Sequence, residues 1–199
     1  MAASLGRLVL TLTVALAGSL ALTGPANAES VTARDARHDV SYVDFTVDEP
    51  VAEPAPQHAN GDVTRLRVRH GLRRIKAVAV FRELNRQSPR LRANLELQWP
   101  GTHQLEYTDV HVRAGRGNWA GTATLTGDGD HRCEVATHVD LVANTLTVAF
   151  PRTCLGSPRW VRALVVVSTT DDVRDPTYVY YDQGPGRRRE RFTPRVHAG

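Results

Sequence analysis

Three groups of side chains and one aromatic ring in this chain have the type and spacing to do chemistry. Arg65, Arg67 and Arg69 alternate along one stretch, and Arg74 and Lys76 follow a few residues on. In an extended strand alternate side chains share a face, so these cations can present a row of donors to oxyanions. Asp171, Asp172 and Asp175 put three hard oxygen donors in one short loop, a candidate site for structural Ca²⁺. Cys133 and Cys154 are the only cysteines and lack C-x-x-C spacing, so they point to a structural disulfide rather than redox exchange. Trp160 is in phase with Arg162, while Val161, Ala163, Val165 and Val167 make the cleaner apolar face. It is a candidate platform for stacking on a sugar, or a rim residue covered by a loop.

Other chemistry is absent. The chain contains no G-x-S-x-G, P-loop, H-E-x-x-H or glycine-rich dinucleotide fingerprint. Its eight histidines are scattered, without the spacing of a zinc site. Asp128-Gly129-Asp130 opens like a calcium loop but lacks the closing acid of an EF-hand, and reads as a turn. No catalytic residue and no cofactor beyond that structural calcium is expected. A site assembled from distant loops, such as a pair of carboxylates, leaves no spacing signal.

These groups need elements to hold them. Short β-rich runs divided by Gly, Pro and Asp give strands over Val63–Arg69, Leu72–Phe81, Leu91–Trp99, Leu105–Val112, Trp119–Leu125, Cys133–Leu141, Thr145–Phe150, Trp160–Ser168 and Thr177–Tyr181. Val40–Val47 is a further strand-like island, and Phe81–Asn85 has room for one helical turn. Strand spacing near ten residues, with no long helical period between, predicts an all-β fold: an antiparallel, jelly-roll-like β-sandwich with one disulfide. Leu91, Ala93, Leu95, Leu97 and Trp99 alternate with polar residues and mark a core face; Trp119, Gly121, Ala123 and Leu125 mark another.

Two hairpin registers follow. A two-residue turn at Ala143-Asn144 pairs Leu141 with Leu146, Val139 with Val148 and Cys133 with Cys154, all on one face. Closing that loop is worth ~3 kcal/mol in the chain-entropy account. A two-residue turn at His70-Gly71 pairs Leu66 with Ile75, Arg67 with Arg74 and Arg65 with Lys76. Like charges opposed across strands destabilise a sheet, so something acidic is expected over them. The internal candidate is the acidic leader, through Asp44, Asp48, Glu49 and Glu53; the external one is an anionic polymer.

The N-terminus reads as a secretory signal peptide over 1–28. Arg7 precedes the apolar Leu8–Leu22, and Ala26-Asn27-Ala28 supplies the cleavage site. The apolar run is short of the ~20 residues that span a bilayer. Behind it come an acidic, Pro-containing leader over 29–60, a β-sandwich domain over 61–185 and an Arg-rich disordered tail over 186–199. Charge is uneven: residues 29–59 hold two Arg and seven acids, whereas 60–100 hold ten cations and three acids. The five Arg of the last 13 residues outweigh Glu190. Lys76 is the one lysine beside 24 arginines, as in proteins of GC-rich genomes.

With this composition, the signal segment and the stretch Phe150-Pro151-Arg152-Thr153-Cys154-Leu155-Gly156-Ser157-Pro158-Arg159-Trp160-Val161-Arg162, the chain resembles the small secreted β-sandwich proteins of actinobacteria, many without known function. The resemblance implies an extracellular or cell-envelope location and carries no activity. The reading that follows is a secreted, non-enzymatic binding module at the cell envelope. Its expected partners are an anionic cell-wall polymer, a glycan or a secreted protein, without a membrane span; nucleic acid is not expected. The alternative is an envelope-associated hydrolase with a loop-assembled site, to be recognised by a cleft holding perturbed titratable groups.

Overall fold

A computed structural model describes residues 28–172, 177–186 and 191–199. The signal segment expected over 1–28 lies outside them, Ala28 excepted. Strand makes up 58% of the described residues, and no α-helix occurs among them. All nine expected strands are present, and Phe81–Asn85 holds no helical turn.

The strands are β1 (Glu29–Arg34), β2 (Ser41–Asp44), β3 (Ala52–Pro54), β4 (Val63–His70), β5 (Arg74–Phe81), β6 (Arg90–Pro100), β7 (Leu105–Gly115), β8 (Asn118–Gly127), β9 (Ala136–Asp140), β10 (Thr145–Pro151), β11 (Trp160–Thr170), β12 (Tyr178–Gly184) and β13 (Val196–His197). They form a five-stranded sheet of order β1-β4-β5-β10-β9 and an eight-stranded sheet whose main path runs β3-β2-β12-β11-β6-β7-β8, with β13 pairing β11. Every pairing between these strands is antiparallel.

The sheets pack face to face because alternation gives each an apolar side. Leu66, Ile75 and Phe150 from the smaller sheet meet Leu95, Leu97 and Val165 from the larger in one buried core. Burying each such side chain stabilises by ~1.5–3 kcal/mol. Trp99 is buried as expected, and Trp119 packs partly buried against the same core.

Both hairpin registers differ from expectation by an even number of residues, which preserves the faces while moving the partners. In β9–β10, Leu146 faces Val139 and Thr145 faces Asp140. The turn holds four residues rather than two because Asp140 Oδ1 accepts hydrogen bonds from Val142 N and Ala143 N, both at 2.9 Å. Cys133 and Cys154 are bonded, but outside this ladder. Cys154 sits in a 3₁₀ turn, Arg152–Leu155, closed by Gly156 in the left-handed conformation.

In β4–β5, His70 faces Ile75, Arg69 faces Lys76 and Arg67 faces Val78. His70 belongs to the strand, not to the turn. It is fully buried, and its Nδ1 pairs with Val196 O at 3.0 Å.

The ends of the chain are also structured. The 29–60 leader contributes three strands instead of one and serves both sheets, β1 in the smaller, β2 and β3 in the larger. The tail expected to be disordered is ordered over 191–199, where Val196 is buried in the core. Thr193 exchanges hydrogen bonds with Ala163 through Ala163 N to Oγ1 at 3.1 Å and its own N to Ala163 O at 2.8 Å.

Candidate functional site

Pairing across β1, β4 and β5 assembles one continuous basic surface. Arg65, Arg67 and Arg69 occupy the outward positions of β4, alternating with buried Leu66, Val68 and His70. Lys76 lies beside Arg69, and Arg74 begins β5 on the same face. On the other flank, β1 places Arg34 beside Arg65, with Thr32 and Ser30 beside Arg67 and Arg69. Along a strand these outward positions repeat every ~6.7 Å, and neighbouring strands lie ~4.8 Å apart. Val78, Val80, Thr147 and Ala149 continue the outer face toward β10 as small, uncharged neighbours.

All six cations are exposed, and none makes an ion pair or side-chain hydrogen bond among the described residues. The acids expected to cover them are elsewhere. Asp44 and Glu53 lie on β2 and β3 of the other sheet, where Asp44 Oδ1 accepts from Thr46 N at 2.8 Å and Glu53 accepts from Tyr42 Oη at 2.8 Å. Asp48 and Glu49 lie in the loop between those strands. The leader adds an arginine to the basic face instead of acids above it. On this face, Arg69–Lys76 and Arg34–Arg65 oppose like charges directly; the expected Arg67–Arg74 and Arg65–Lys76 oppositions are absent.

Known proteins supply no further guide. No family model, curated protein or solved structure matches this chain.

A second charged region, of opposite sign, was not visible in the sequence. Asp39 before β2, Asp62 before β4 and Asp182 on β12 bring carboxylate oxygens within 4.8 Å of one another, with Asp62 and Asp182 buried. Asp35, after β1, stands close enough to act on Asp182. Asp39 and Asp182 line a cleft of about 680 Å³ together with Arg37, His38 and Tyr181. Asp62 Oδ2 forms an ion pair with Arg82 at 2.9 Å and accepts from His38 N at 3.0 Å. Asp182 accepts from Val63 N through Oδ2 at 2.6 Å and from Gln183 N through Oδ1 at 2.8 Å. Burial pushes the Asp182 carboxyl up to about 7, with the charges of Asp35 and Asp39 adding to the shift. Asp35 is pushed up to about 6, again chiefly by burial, with Asp39 and Asp62 adding.

The remaining candidates stand apart from both regions. Asp171 Oδ1 is taken by Tyr178 N at 3.0 Å, and Asp171 and Asp172 share a cleft with Arg86 and Arg116, a poor setting for a cation. Asp175 lies outside the described residues. Trp160 is no open platform: the Arg195 guanidinium covers its ring at 4.4 Å from the centroid. An aromatic group instead forms at the β2–β12 edge, where Tyr180 pairs with Tyr42, their centroids are 6.0 Å apart, and His58 stacks on Tyr180 at 3.6 Å. The alternating Tyr178 and Tyr180 were its only trace in the sequence.

Proposed function

We propose that this protein is a secreted, non-enzymatic binding module that holds an anionic polymer at the cell envelope on the open face of its five-stranded sheet. One observation carries the reading: six exposed cations share one sheet face, and none of them is in ion-pair contact with an acid among the described residues. Guanidinium groups at strand spacing pair with phosphate, sulfate or carboxylate oxygens along a chain, and multiple weak contacts add. Six like charges held at that spacing also raise the local concentration of a polyanion before contact.

The hydrolase reading has one observation in its favour, the carboxyl of Asp182 held near neutrality beside a cleft. Burial accounts for that shift, and a raised carboxyl alone is a weak sign of catalysis, because structural clusters of acids perturb pKa values as well. The binding reading is therefore preferred.

Retention on immobilised polyphosphate and on heparin tests it. Wild-type protein is expected to bind both and to elute with rising salt. The Arg65/Arg67/Arg69→Ala variant, folded by circular dichroism, is expected to pass through, while an Arg86/Arg116→Ala control binds as wild type does. Equal retention of the two variants would refute the assignment to this face.

A further inference from the structure

We infer that Asp39, Asp62 and Asp182 form a calcium-binding site that ties the N-terminal crossover to both sheets. Two observations converge on it. Their carboxylate oxygens already lie within 4.8 Å of one another, close enough to share one ion. Asp62 is fully buried, and among the described residues its Oδ1 meets no hydrogen-bond donor; the buried Oδ2 of neighbouring Asp35 meets none there either. An unpartnered buried carboxylate oxygen is costly and calls for a ligand.

The donors select the ion. An all-oxygen, carboxylate-rich set suits hard cations rather than zinc or copper. Calcium accepts six to eight oxygens in irregular geometry, and the cleft gives water access to complete the shell, whereas Mg²⁺ demands a near-ideal octahedron. The backbone donors on Asp182 leave a second lone pair on each oxygen. The three residues come from the approach to β2, the approach to β4 and strand β12, so one ion would fasten the chain where it passes between the sheets. This inference is independent of the polymer-binding reading.

The test uses the full secreted chain stripped with EDTA. Tb³⁺ is expected to give Tyr-sensitised emission, since Tyr181 lines the same cleft, to saturate at one ion per chain and to be displaced by Ca²⁺. Ca²⁺ at about a hundred times its Kd is expected to raise Tm by about 5–10 °C, and equal Mg²⁺ by much less. Both signals are expected to vanish in Asp182→Asn and in Asp39→Asn; the second, at a half-buried position, covers the case in which the first does not fold. Absence of emission and of a calcium shift overturns the site. So does a shift that survives Asp39→Asn and is lost in Asp171→Asn/Asp172→Asn, or an equal response to Mg²⁺.

Discussion

The outer face of the five-stranded sheet and the Asp39–Asp62–Asp182 cleft are both clusters of like charge, and their surroundings give them opposite meanings. On the face, each guanidinium keeps its water and the repulsion between neighbours is screened by salt. The cluster needs no internal partner, because it costs the fold little. In the cleft, Asp62 and Asp182 have lost their water, and carboxylates under 4.8 Å apart repel by several kcal/mol at interior dielectric. That cluster must take up a proton or a cation. Exposed like charges are therefore available to an outside partner, whereas buried ones already demand a resident.

The sharpest way to break this contrast is to remove a cation from each region. Arg82→Ala leaves Asp62 without its ion pair and frees Pro56 O and Gln57 O as well. It is expected to cost about 3 kcal/mol in urea unfolding. Arg67→Ala on the open face is expected to change stability by no more than about 0.5 kcal/mol. Similar losses for the two would end the distinction.

The pH dependence of the calcium-free protein is the next largest effect. Asp35 and Asp182 have folded-state values of about 6 and about 7, above the ordinary 3.8. The folded state thus holds protons that the unfolded chain has lost. Their contribution is complete below about pH 4 and is lost as pH rises through about 6 to 7. Asp39, Asp62, Arg82, Arg37 and His38 surround the pair and shape the curve. His58 and His70, held below their ordinary range chiefly by burial, act in the opposite sense and favour folding as pH rises. Asp182→Asn isolates the carboxyl part: urea midpoints between pH 5 and pH 8 should fall less steeply than in wild type. An unchanged slope would remove Asp182 from the account.

Sequence reading reached one region and missed the other for a physical reason. Arg65, Arg67 and Arg69 are consecutive outward positions of a single strand, so a period of two displays them together. Asp39, Asp62 and Asp182 meet only through a crossover and a sheet edge, and no spacing records that. The disulfide partners were identified correctly even though the register offered for them was shifted by two, because two cysteines in one chain allow only one pair. The tail misled because its arginines dominate its composition, while a single buried Val196 and the Thr193–Ala163 hydrogen bonds hold it. The leader misled similarly: its acids suggested a cover, but β1 enters the sheet edge and presents Arg34 outward.

A smaller effect is expected at the rim of the face. Arg34→Ala should weaken polyphosphate binding about as much as Arg65→Ala, because the two are paired across β1 and β4. Competition titration against the wild type measures both. A loss confined to Arg65→Ala would shrink the binding surface to β4 and β5.

The account rests most directly on the salt dependence of polyphosphate binding. The logarithm of the binding constant is expected to fall linearly with that of the salt concentration, by roughly one unit of slope per engaged cation. Wild-type protein should show a steep slope, and Arg65/Arg67/Arg69→Ala a slope shallower by about three. Equal slopes for the two, or binding that salt does not weaken, would contradict the claim that this face holds a polyanion.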